Sequence, residues 1–163
     1  MNTFCPIIKI PAFLSMLCLL GLFSGCQKEE FVDTRERVAV VPVTGKILLD
    51  GKPLVGPAVA KIVMHPADSE TEEGIPADVP APSAWTEADG TTFKMGSYEG
   101  GDGAPVGTYK LTIDVGKRSL MNGSFKRGPL DGKYADPENP VQEITVTGDE
   151  GSIDLGTIEL TSD

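Results

Sequence analysis

The sequence predicts an all-β protein, a β-sandwich of about seven short strands, on three observations. Apolar residues recur at every second position in short runs, as they do when one face of a strand is buried. Clusters of Gly, Pro, Asp and Asn separate those runs; the chain holds 19 glycines and 13 prolines among 163 residues. No segment keeps an apolar period of 3.6 residues over three turns, so helix is at most a minor component. The strand-forming part spans residues 38–163, and two segments of different composition precede it.

Residues 1–25 hold one charge, Lys9, and no acid; an apolar run, FLSMLCLLGLF (Phe13–Phe23), leads to small residues and a cysteine. A charged start, a short apolar centre and small residues before a cut describe an export signal. The run falls well short of the ~20 residues that a membrane-spanning helix needs, and Pro11 disfavours helix at its start. Ser24-Gly25-Cys26 resembles the lipobox of bacterial lipoproteins, although Phe23 stands where that family usually has an aliphatic residue. The resemblance implies that Cys26 becomes the N-terminus and carries acyl chains such as palmitate. With Gln27 rather than Asp next, it implies anchoring in the cell envelope at an outer membrane. Each buried CH₂ contributes roughly 0.8 kcal/mol, so two or three chains hold a protein durably.

Residues 26–37 then form a lipidated cysteine and a flexible tether, and the eleven tether residues Gln27–Arg37 reach about 36–40 Å at full stretch. The 138 residues from Cys26 to Asp163 carry all 24 acids and 13 of the 14 lysines and arginines, a formal charge of −11. Cys5 and Cys18 lie in the signal, so the mature chain has no disulfide and no cysteine metal ligand. The acidity argues against a nucleic-acid partner, which demands a basic patch.

The strands follow in order. In VPVTGKILLD, Val41, Val43, Ile47 and Leu49 share one face, opposite Thr44 and Lys46, and Asp50-Gly51 turns the chain. AVAKIVMH is apolar on both faces apart from Lys61, which suits a central strand. Prolines 66, 76, 80 and 82, with five acids between them, mark a surface excursion. SAWTEADGTTFKM predicts a hairpin turning at Asp89-Gly90, with Phe93 and Met95 inward. GTYKLTIDV alternates Tyr109, Leu111, Ile113 and Val115 with Lys110, Thr112 and Asp114. A second excursion, Gly116–Pro140, shows no regular pattern. VQEITVT and SIDLGTIEL predict a closing hairpin around GDEG, with a bulge at Gly156 where the apolar parity slips by one.

The stretch YEGGDGAPVGTYKLTI (Tyr98–Ile113) raises three readings. A phosphate cradle needs a helix after the glycines, and a period-two strand follows instead, with Glu99 and Asp102 repelling the anion. A calcium site finds hard oxygen donors in Asp102, Asp131, Asp136 and Glu138, but no single loop has the required spacing, and solvated loop acids are the commoner outcome. A structural corner suits the residues best: Pro105 fixes φ, Gly107 allows the bend, and Tyr109 buries its ring and turns its hydroxyl back on the backbone.

Together VTGKILLDGKPLVGPAVAKIV, TEADGTTFKM and PVGTYKLTIDV resemble the carboxypeptidase regulatory-like domain, over roughly residues 41–160. That family implies a seven-stranded, Ig-like or prealbumin-like (transthyretin-like) β-sandwich serving structural, adhesion or assembly roles. The extra threonine before Phe93, Pro57 after Gly56 and the two excursions depart from its pattern.

Chemistry-bearing residues are sparse. His65 is the sole histidine and reads as a solvated strand-end residue; Glu72-Glu73 and Asp149-Glu150 fall in acidic turns. Some relatives join lysine to asparagine covalently, but opposite Lys46 the closing strands offer only Asp154. Trp85 and Tyr98 are candidates for an aromatic platform, set against ordinary packing. The expectation is a non-enzymatic, membrane-anchored lipoprotein without catalytic residues, cofactor or firm metal site, partnered by an envelope protein or polysaccharide. The alternative is a module whose loops bind calcium or carbohydrate.

Overall fold

The computed structural model describes residues 37–67, 79–119, 121–128 and 130–162. The chain divides into two units, Met1–Thr34 and Arg35–Asp163, and the β-structure belongs to the second. The expected signal, Cys26, the tether as far as residue 36 and most of the Pro66–Pro82 excursion lie outside the described residues.

Among the described residues there are ten strands and no helix. They are β1 (Val40–Val41), β2 (Val43–Leu49), β3 (Ala58–Pro66), β4 (Ser83–Trp85) and β5 (Thr92–Lys94). β6 (Ala104–Pro105), β7 (Gly107–Arg118), β8 (Phe125–Arg127), β9 (Gln142–Val146) and β10 (Ile153–Leu160) follow. One sheet has the order β10-β2-β5 and another the order β4-β3-β7-β8, with β9 also on β7; β1 and β6 make a two-stranded ribbon. The sheets are arranged as a sandwich around one core. Val43 and Ile47 of β2, Phe93 of β5 and Leu160 of β10 meet Ile62 and Met64 of β3 and Tyr109, Leu111 and Ile113 of β7.

The two-residue period explains this core. On β7, Tyr109, Leu111, Ile113 and Val115 are buried, while Lys110 and Asp114 are partly exposed. β3 is central, between β4 and β7, but apolar burial is complete on one face only: Ala60, Ile62 and Met64 are buried, and Val59, Val63 and His65 are half-buried. On β2, Gly45 lies opposite Phe93 in the antiparallel register with β5. A Cβ there would sit 2.6 Å from the Phe93 ring, so the glycine makes room for the aromatic side chain.

Three expectations about connectivity are corrected. The closing strands are not a hairpin: β9 pairs antiparallel with β7, whereas β10 pairs parallel with β2 in the other sheet. The segment 147–152 crosses the sandwich, so Val146 and Leu160 enter the core from opposite sides. The slip at Gly156 is present as a register shift between Asp154 and Thr157. Second, the chain does turn at Asp89-Gly90, with the Glu87 N–H donating to the Thr92 carbonyl across it, but β4 and β5 part into different sheets, and a Ser83–Gly96 bridge links the two segments. Third, the Gly116–Pro140 stretch contains regular structure, because β7 runs on to Arg118 and pairs with β8. Asn122-Gly123 turns this hairpin, with Asn122 Oδ1 accepting from the Ser124 backbone N–H and hydroxyl.

The Asp89 turn is tightly capped. Its carboxylate accepts the backbone N–H groups of Thr91 and Thr92, both at 2.9 Å, and both threonine hydroxyls. Four donors favour the ionised form, and the Thr92 hydroxyl, with the Thr91 and Thr92 amides, holds this carboxyl well below the usual range. Because the folded-state value is depressed, the stabilisation is complete above the unfolded value of about 3.9 and fades as pH falls towards the folded one. Asp89→Asn is therefore expected to melt below wild type at neutral pH. The gap should narrow steadily below about pH 4; thermal melts across that range check both the sign and the window.

Candidate functional site

The glycine-rich turn is built around Asp102. Its carboxylate accepts the N–H groups of Ser97 at 2.7 Å and of Tyr98 and Glu99 at 3.1 Å, and the Ser97 hydroxyl donates to the Gly103 carbonyl at 2.8 Å. Gly103 has φ +117°, and a Cβ there would meet the Val41 carbonyl oxygen at 2.2 Å. Asp102 thus spends its oxygens on its own backbone.

The remaining cation candidates are equally local. Asp136 accepts the Glu138 N–H at 2.9 Å, and Asp131 sits in a turn with φ 44°. No three His, Cys, Asp or Glu side chains converge to hold a metal among the described residues. The structure does not bring Asp102, Asp131, Asp136 and Glu138 together.

At the corner, Val106 alone separates β6 from β7. The Tyr109 hydroxyl donates to the Pro105 carbonyl at 2.9 Å across it, and the Tyr109 ring is buried. Gly107 sits in the bend with a positive φ of 157°.

An open groove of about 510 Å³ runs between β4 and the Gly96–Gly101 turn. Trp85 and Tyr98 line it, with Ser83, Glu87, Lys94, Ser97 and Glu99 as its polar groups. Lys94 and Glu87 form an exposed ion pair at 3.1 Å. The Tyr98 wall is braced by the first described residues: Arg37 lies over the Tyr98 ring at 5.4 Å and pairs with Glu99 at 2.8 Å, and the Val38 N–H donates to the Tyr98 hydroxyl at 3.1 Å. Half-buried Trp85 meets Phe125 edge to face at 5.4 Å, with Arg118 4.8 Å above its ring. Sequence reasoning singled out Trp85 and Tyr98 but missed Phe125, Arg118 and the Glu87–Lys94 pair. The Asn122-Gly123 turn signal was the clue that folds Phe125 back beside Trp85.

The other candidates are placed as follows. His65 does lie at a strand end, next to the last residue of β3, but it is half-buried rather than solvated, and its Nε2 is 2.9 Å from the Thr112 hydroxyl. Burial, and then Lys61, push its pKa down, so at neutral pH it is the uncharged imidazole. Lys46 is exposed and paired in register with Thr157, while Asp154 accepts the Gly156 N–H at 2.9 Å; the two are not directly opposed. Asp149 and Glu150 are exposed in the crossing segment, and Glu72-Glu73 lie outside the described residues. No helix among the described residues is long and apolar enough to cross a membrane.

No protein family matches the sequence, and no curated protein matches it. Among solved structures, the chain is similar to part of a 9R-lipoxygenase from Cyanothece PCC8801, at 11% identity and a TM-score of 0.31. The match covers 79% of this chain and 18% of that one, so the chain spans less than a fifth of the lipoxygenase. This corrects the expectation of a non-enzymatic protein, which does not stand beside a match to an enzyme. At that TM-score the likeness carries no argument for a particular activity.

Tyr109→Phe tests the corner, because it leaves the ring and strands the Pro105 carbonyl. The expected loss is about 1–3 kcal/mol, the penalty for an unsatisfied buried acceptor. Tyr109→Ala should lose about 3–5 kcal/mol. Denaturant unfolding of both variants measures the difference.

Proposed function

We propose that this chain is an envelope lipoprotein, anchored through Cys26, whose β-sandwich is an adhesion module that binds carbohydrate. Its fold is then of the prealbumin-like kind that the carboxypeptidase regulatory-like motifs resemble. The observation that carries the binding reading is the groove lined by Trp85 and Tyr98. Sugar rings present apolar faces edged by hydroxyls, and such a ligand suits aromatic faces flanked by a few polar groups. Ser83, Glu87 and Lys94 supply those donors and acceptors along the same groove. An open cleft rather than an enclosed cavity suits an extended polymer. Support for the anchor is the sequence around Ser24-Gly25-Cys26.

Trp85 is the chain's single tryptophan, so its fluorescence reports this groove directly. Titration with soluble oligosaccharides should change its emission saturably, and Tyr98→Ala should weaken the response at least about tenfold, as loss of a stacking face implies. No saturable change with any glycan would end the binding reading.

Labelling cells with a radioactive fatty acid tests the anchor. Label is expected on wild type and absent from Cys26→Ala.

A further inference from the structure

The second face of the β4-β3-β7-β8 sheet concentrates positive charge on an acidic protein. Direct partners in an antiparallel ladder share a face, and the register places Trp85, Lys61 and Asp114 side by side across β4, β3 and β7. Along β7 the same parity carries Lys110 and Arg118, with Arg127 reached through Gly116 and Glu143 through Lys110. The strands of this face thus hold four of the chain's 14 lysines and arginines but two of its 24 acids. One of those acids is already matched, since Asp114 pairs with Arg127 at 2.7 Å. His65 shares the face, and Lys61 adds to burial in disfavouring its protonated form.

This positive face is continuous with the groove, because Trp85 belongs to both. Arg118 lies over the Trp85 ring, and Phe125 packs above Gly116, where a Cβ would sit 2.6 Å from its ring. Aromatic surface and guanidinium therefore meet at the Trp85 side of the groove.

Resting on the carbohydrate reading above, we propose that the ligand is an anionic polysaccharide, one bearing carboxylates or phosphates along its chain. Its sugar rings contact Trp85 and Tyr98, and its charged groups run over the β3–β7 face to Lys61, Lys110 and Arg118. Guanidinium and ammonium groups bind such anions by charge-assisted hydrogen bonds. The acidic remainder of the protein confines anions to this one face and weakens general attraction to nucleic acid or anionic lipid.

The test uses the full-length chain in detergent and compares a size-defined oligogalacturonate with its methyl ester, which has the same backbone and no charge. Trp85 emission reads both. The acid is expected to bind about tenfold more tightly than the ester, with the preference shrinking as salt screens the charges. In the double variant Lys61→Gln/Lys110→Gln the preference should fall towards unity while ester binding and the melting temperature hold. The salt series on the unaltered chain tests the same point without substitution. Equal affinity for acid and ester would overturn the anionic assignment and leave the carbohydrate reading standing; binding of neither would overturn the anionic assignment, and the carbohydrate reading falls with it only when the wider glycan titration is also flat. Tighter binding to vesicles containing anionic lipid, or to a single-stranded oligonucleotide, than to the oligogalacturonate would also overturn it.

Discussion

The hydrogen bond from the Tyr109 hydroxyl to the Pro105 carbonyl sets the phase of the longest strand, and the rest of the domain depends on that phase. β7 spans 12 residues and takes β3 along one edge and both β9 and β8 along the other. A slip of one residue at its start would turn Lys110, Thr112 and Asp114 inward and expose Leu111, Ile113 and Val115. The corner prevents this by tying the first inward side chain to the backbone of the ribbon before it. Where β9 ends and β8 has not begun, the Ile113 N–H donates to the Tyr134 carbonyl at 2.8 Å, so the loop satisfies the open edge.

The same phase creates the outer face. Burying Tyr109, Leu111, Ile113 and Val115 necessarily presents Lys110, Asp114 and Arg118 together on the opposite side. Net charge alone argued against a basic patch. Charge summed along a chain ignores parity, and parity decides which charges become neighbours in a sheet. A chain of formal charge −10 can therefore carry a locally positive face.

How far the residues announced the structure differs from element to element. Strand positions and inward residues were readable wherever alternation ran clean, as in β2, β3 and β7, because one buried face leaves that mark. The Asp89-Gly90 turn was readable from its turn chemistry. Sheet membership was not readable. Nothing local distinguishes a β9–β10 hairpin from a crossing to a parallel partner, since Ile144, Val146, Ile158 and Leu160 are inward in either arrangement. The β8 strand was hidden for another reason: FKR has one apolar residue, and Phe125 packs on the outer face over Gly116 rather than in the core. Trp85 and Tyr98 stood out by residue type, but the cleft between them needed the parting of β4 from β5, which no periodicity reports.

The groove is also tied to the start of the domain. The groove's far wall, Tyr98 and Glu99, is held by Arg37 and Val38, the residues at which the chain enters the domain. An exposed ion pair such as Arg37–Glu99, with side chains 46% and 68% accessible, contributes little stability. Its consequence is positional. With Cys26 as the proposed anchor, Arg37 stands eleven residue steps along the chain from the lipid, and a fully extended chain of that length spans about 36–40 Å. Under that proposal, binding in the groove would take place within that reach of the membrane. Within that reach a ligand has to be a polymer lying close to the lipid surface or a long chain reaching down to it. An open-ended cleft meets either geometry, whereas a closed pocket would admit only a chain end.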